Sequence, residues 1–89
     1  MCIEFDLIKD ALNREKHGVS LSIADAVDWN AALVWIDERF DYRETRMVTL
    51  APVAETLYCV VFVDRGVARR IISLRCANRR EVKHYVESS

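Results

Sequence analysis

A chain of 89 residues, 52% hydrophobic and 30% charged, with only two glycines and one proline, has the make-up of one compact domain spanning residues 1–89 and excludes a disordered or low-complexity protein. Folding at this size buries only about 60 to 65% of the extended surface, which excludes a large cofactor-enclosing enzyme and leaves a small core that a partner chain can complete. The formal charge of −1 is unevenly spread: residues 1–64 hold 6 Lys/Arg against 12 Asp/Glu, whereas residues 65–89 hold 7 against 2.

In chain order, a short strand over Cys2–Phe5 runs into a helix that starts at the natural N-cap Asp6, places Ile8, Ala11 and Leu12 at helical spacing, and stops at Gly18. Ser20 or Ser22 caps a second helix with Ile23, Ala26 and Val27 as its apolar positions, Asp25 forming a weak capping box with Ser22, and an end near Trp29 or Asn30. The period then changes. Residues 32–36, 46–51, 57–64 and 67–75 are rich in branched and aromatic residues without helical spacing, so each reads as a strand of a meander. An acidic loop, residues 37–45, joins the first two of these; residues 52–56 form a longer turn, and Asp64-Arg65-Gly66 a tight hairpin. Asn78 caps a third helix, with Glu81 completing an N-x-x-E box and Val82, Tyr85 and Val86 as its buried stripe.

This order of elements predicts an α+β fold in which helices cover one face of an antiparallel sheet and the other face stays open for a site. Strict alternation along the last strand puts Arg69, Ile71, Ser73 and Arg75 on one face, and Ala68, Ile72, Leu74 and Cys76 on the core side with Arg70 at the rim.

The three cysteines, Cys2, Cys59 and Cys76, lack C-x-x-C spacing, and reduced thiols in a cytoplasmic protein are expected. The apolar run 57–63 is too short to cross a bilayer, and the acidic N-terminal stretch does not follow the pattern of a signal peptide, so no membrane partner is expected. No metal or other cofactor is expected either. His17 and His84 lack ligand spacing, the carboxylates Asp37, Glu38, Asp41 and Glu44 read as a solvated loop, and there is no glycine-rich phosphate loop or nucleophile elbow. What remains is a basic set: Lys16 and His17 at the end of the first helix, Arg46, Arg69, Arg70 and Arg75 on strands, and Arg79, Arg80 and Lys83 on the last helix. Guanidinium groups beside the free N–H groups of a helix start suit phosphate. The same basic segment could equally lie against an acidic surface of its own chain.

Several blocks carry a resemblance: Asp6-x-x-Lys9-x-x-x-Asn13-x-x-Lys16-His17-Gly18-Val19-Ser20, Glu44-x-Arg46, Asp64-Arg65-Gly66, and Arg70-Ile71-Ile72-Ser73-Leu74-Arg75-x-Ala77-x-Arg79-x-Glu81-x-x-x-Tyr85. Together they resemble the BrnT toxins of bacterial type II toxin–antitoxin systems, over nearly the whole chain. The chain departs from that pattern at Ala51, Leu74 and Asn78, where glycine, alanine and threonine are common. The resemblance implies a RelE-like fold, with two N-terminal helices packed on a twisted antiparallel sheet of about four strands and a C-terminal helix. It implies cleavage of RNA, arrest of translation, and neutralisation by a BrnA-like ribbon-helix-helix antitoxin, with operator DNA bound only through the toxin–antitoxin complex.

Metal-independent RNA cleavage needs a base, an acid and cations for the charge developing on phosphate oxygens. His17 is the group whose ordinary pKa suits the acid–base role, beside Lys16; Glu81 and Tyr85 are alternates. Arg46, Arg70, Arg75 and Arg79 are the expected phosphate clamp, and Arg69, Arg80 and Lys83 the expected RNA-binding set. The rival readings are a non-catalytic module, related to the toxins, that only binds a protein or nucleic-acid partner, and a plain structural subunit.

Overall fold

The computed structural model describes residues 2–39 and 43–88; Asp41 of the acidic loop lies outside them. Strand β1 (Cys2–Glu4) leads into helix α1 (Leu7–His17), followed by two 3₁₀ segments, Leu21–Ala26 and Trp29–Ala31. Strands β2 (Leu33–Ile36), β3 (Met47–Val53), β4 (Thr56–Arg65) and β5 (Ala68–Cys76) come next, and helix α2 (Arg79–Ser88) closes the described chain. The class is α+β as expected, but the sheet has five strands in the order β1-β5-β4-β3-β2. It is mixed, because β1 runs parallel to β5, with Cys2 opposite Ala68 and Glu4 opposite Arg70. Three residues of strand are too short to announce a partner that lies so far along the sequence.

The helix ends follow local chemistry. The Asp6 carboxylate accepts from the Ile8 and Lys9 N–H groups, and Gly18, at φ 75, turns the chain out of α1 while its N–H bonds the Arg14 carbonyl. Asn78 and Glu81 form the reciprocal box: the Glu81 N–H donates to the Asn78 side chain at 2.9 Å and the Asn78 N–H to the Glu81 carboxylate at 2.9 Å.

The apolar faces are not where helical spacing put them. Ile8 and Leu12 are 74% and 59% exposed, and α1 docks instead through the buried polar residues Asp10 and Asn13. Asp10 accepts from the Leu21 N–H at 2.7 Å and the Ser20 hydroxyl at 2.9 Å. Asn13 donates to the carbonyls of Leu74 (2.7 Å) and Val19 (2.9 Å) and accepts from the Leu74 N–H (3.2 Å). The reason lies in β5: β1 ends opposite Arg70, so the outer edge of β5 at Leu74 has no strand beside it, and the Asn13 amide supplies the missing donor and acceptor. On α2, Val82 and Val86 are also exposed, and Tyr85 alone of the expected stripe packs on the sheet.

The expected second helix is the 3₁₀ segment Leu21–Ala26, capped by Ser20 rather than Ser22. Its buried residues, Leu21 and Ala24, are three apart, the repeat of a 3₁₀ turn. The longer turn expected over residues 52–56 is tight: Val53 pairs with Thr56, and Ala54 between them takes φ 52.

A bulge breaks the alternation along β5. Val61 faces Ser73 while the next residue, Phe62, faces Ile71, so Ile72 is the extra residue. Ile71 and Leu74 therefore share the core side with Val60, Phe62, Leu21 and Ala24, contrary to the strict two-residue period. Ser73 and Arg75 turn to the other side of the sheet. That side is not wholly open: a second cluster, Val48, Leu50 and Cys59, packs there with Leu33, Ala77 and Tyr85 of the α2 side.

Candidate active site

Register alone lays out the floor of a groove on the α2 side of the sheet. Trp35, Val48, Val61 and Ser73 stand in one row across β2, β3, β4 and β5; in the next row Cys59 and Arg75 line the groove, while Leu33 and Leu50 belong to the cluster that includes Tyr85. The cavity above them, about 660 Å³, is walled by Lys16 and His17 from the end of α1, by residues 35–39 from the end of β2, and by Glu81 from the first turn of α2. Each wall has a local cause: Gly18 ends α1 so that His17 faces the sheet, the Ile72 bulge turns Ser73 and Arg75 inward, and the Asn78 box fixes Glu81.

Arg75 and Glu81 form a forked pair, Nη1 to Oε1 at 2.7 Å and Nη2 to Oε2 at 2.8 Å, and Nη1 also reaches the Cys76 carbonyl at 3.3 Å. A guanidinium has five N–H donors, so the Nε–H and one Nη2–H remain for a further oxygen. The pair shifts both groups: the Arg75 guanidinium holds the Glu81 carboxyl below its ordinary pKa, and Glu81 raises that of Arg75. Burial pushes the Cys59 thiol beneath them up to about 11, which keeps it protonated and unreactive. His17 is shifted down, first by burial and then by the charges of Lys16 and Arg75. Across the groove Asp37, its side chain buried, holds Arg39 through two bonds of 2.9 Å.

The described walls thus carry Lys16, Arg39 and Arg75 against Asp37, Glu38 and Glu81. This is a mixed electrostatic lining. Much of the charge of the final quarter is met by acids from the rest of the chain: Arg65 pairs with Glu44, Arg69 with Asp64 and Arg70 with Glu4.

Of the residues singled out in the sequence, the groove gathers Lys16, His17, Arg75 and Glu81. Arg46 lies outside it, 3.4 Å from Glu44. Arg69 is on the opposite side of the sheet, its guanidinium 4.1 Å from the Phe62 ring centre and 4.6 Å from that of Trp29. Arg70 sits by β1, 3.9 Å from Glu4. Arg79, Arg80 and Lys83 are exposed on α2, with no ion pair among the described residues, and the Tyr85 hydroxyl donates to the Ala31 carbonyl at 2.6 Å. Ser73 stands in the groove beside Arg75, as alternation along the last strand put it; Trp35 and Arg39 are groove residues that no sequence pattern marks, because only the sheet register brings the end of β2 to this place.

The family model described as "Ribonuclease toxin, BrnT, of type II toxin-antitoxin system" matches residues 5–81. The chain belongs to the BrnT family. The match to BrnT takes in Lys16, His17, Arg75 and Glu81, and hence all the elements that wall the groove. Among curated proteins, none matches the chain. No described helix is long and apolar enough to cross a membrane.

Proposed function

We propose that this BrnT chain is a metal-independent endoribonuclease whose cleavage of RNA arrests translation, and that the groove is its active site. The observation that carries this reading is the convergence of His17 and Lys16 from one end of the chain with Arg75 from the other. A scissile phosphate seated over Ser73 and Arg75 meets the two free N–H donors of a guanidinium already oriented by Glu81, so stabilisation of the developing charge needs no reorganisation.

His17, with its pKa below the ordinary imidazole value, is neutral at pH 7 and can take the proton of the 2′-hydroxyl. The oxygen attacks phosphorus, the P–O5′ bond breaks, and Lys16 is the neighbouring acid able to give the leaving oxygen its proton. A 2′,3′-cyclic phosphate and a 5′-hydroxyl result. Glu81 positions Arg75 rather than moving a proton, because the guanidinium bonds both carboxylate oxygens and lowers their basicity. Arg79, Arg80 and Lys83 on the exposed side of α2 track the RNA backbone beyond the groove. The protein works in the cytoplasm, where a BrnA-like ribbon-helix-helix antitoxin neutralises it and carries the complex to operator DNA.

Incubation of the purified chain with RNA in excess EDTA tests the reading. Cleavage with cyclic phosphate ends is expected; loss of cleavage on chelation overturns the metal-free mechanism, and RNA binding without any cleavage in either condition favours a binding module.

A further inference from the structure

The groove carries charged side chains on several walls, but on its β2 side it is aromatic. Trp35 lines the cavity, is 38% exposed, and stands on the edge strand β2. Its ring meets His84 of α2 at a centroid distance of 6.0 Å and an interplanar angle of 84°, a perpendicular contact that occupies no more than one face of the indole and fixes its tilt. Leaving a large aromatic side chain this open to water is unfavourable by the area it exposes, so its position in a cavity that also carries Lys16, Arg39 and Arg75 points to a ligand with a flat part and an anionic part.

The spacing says which part of the ligand. From Trp35 the register steps to Val48, Val61 and then Ser73, three strand separations, or about 14 Å. That is too far for the base of the nucleotide whose phosphate lies over Ser73 and Arg75, and suits a neighbouring nucleotide in an extended strand. In a duplex the bases are already stacked on one another and turned away from such a surface; a single strand can splay one out. Stacking on an indole depends on the π-face that every base has, so it is tolerant of sequence.

We propose that Trp35 is a base-stacking platform for single-stranded RNA, binding a nucleotide next to the one cleaved. The proposal rests on the ribonuclease reading of the groove. The indole takes no part in proton transfer; it binds and orients, and Arg75 opposite it holds the phosphate.

Binding of a short single-stranded 2′-deoxyoligonucleotide, which lacks the attacking hydroxyl, is the test, followed by anisotropy and by tryptophan fluorescence. The second tryptophan, Trp29, lies on the other side of the sheet against Phe62 and under Arg69, and serves as the silent background. The parent is expected to bind with quenching. Trp35→Ala should weaken binding about 5- to 150-fold, and Trp35→Phe should restore most of it without the quench. On an oligonucleotide with its bases removed, parent and Trp35→Ala should bind alike. Quench-free binding by the parent, a Trp35→Ala affinity within about twofold of it, or an equal loss on the base-free strand each overturns stacking and leaves the RNA reading in place. Failure of the parent to bind any strand while Arg75→Ala is equally inert overturns both.

Discussion

Arg75→Ala separates the groove's chemistry from its architecture. The substitution removes three N–H bonds, two of them to Glu81, yet Glu81 keeps the bond from the Asn78 N–H, so the cap of α2 survives. A hydrogen bond to a charged group contributes about 1.5 to 3 kcal/mol, and the Arg75 side chain is 36% exposed, so solvent screening brings the loss for the pair to about 1 to 2 kcal/mol. In a domain of this size that lowers the thermal midpoint by roughly 4 to 16 °C and leaves the chain folded at 25 °C. Cleavage should suffer far more. Removing one preorganised donor from the charge that develops in a transition state lowers the rate about 100- to 1,000-fold. Single-turnover cleavage of a labelled RNA by the folded variant measures this, with Arg75→Lys as the control that keeps the charge and loses the fork. A folded Arg75→Ala protein that cleaves within about threefold of the parent would refute the assignment of phosphate binding to this side chain.

Three further outcomes follow from the same geometry. Burial, Lys16 and Arg75 all disfavour the imidazolium of His17, so kcat/KM should fall on acidification only below the ordinary histidine value of about 6.5. His17→Gln should abolish that limb and slow cleavage about 100- to 10,000-fold, and persistence of the limb in the variant assigns it to another group. Joint replacement of Arg79, Arg80 and Lys83 by alanine should reduce the slope of log affinity against log salt for a single strand by about 2, while a slope change under about 0.5 shows that α2 does not touch phosphate. Asn13→Ala leaves both backbone groups of the buried Leu74 without their partner and should destabilise the fold by about 2 to 5 kcal/mol in chemical denaturation; a loss under about 1 kcal/mol would mean that water replaces the amide.

What the sequence made legible is what depends on neighbours along the chain. Asp6, Gly18, Asn78 with Glu81, and Gly66 at φ 60 act within a few residues of themselves, and each does in the fold what its type predicts. The readings that failed all required knowledge of distant partners. Helical spacing marks Ile8 and Leu12 as a buried face, but the vacant edge of β5 takes Asn13 and the start of the Leu21–Ala26 segment takes Asp10, so these polar groups dock the helix. Two-residue alternation fails at Ile72 because the bulge is set by pairing with β4. The basic final quarter left two readings open, an anionic partner or an acidic surface of its own chain, and the pairs of Arg65, Arg69 and Arg70 with Glu44, Asp64 and Glu4 favour the second for those three residues. Of the site, Lys16, His17, Arg75 and Glu81 were visible as residue types; Trp35 and Arg39 were not, since an edge strand and its loop carry no motif.

The bonds between Asn13 and Leu74 close a gap of 61 residues, and β1 pairs with β5 across nearly the same interval. Little of this can form while the chain is still being made. Synthesis must pass Cys76 before α1 has the edge of β5 to dock on, and until then His17 has no Arg75 to face. Contacts so distant along the sequence also close slowly. The order of synthesis therefore acts as a delay: the groove closes only once its last-made wall is in place, so it assembles as a unit rather than in parts.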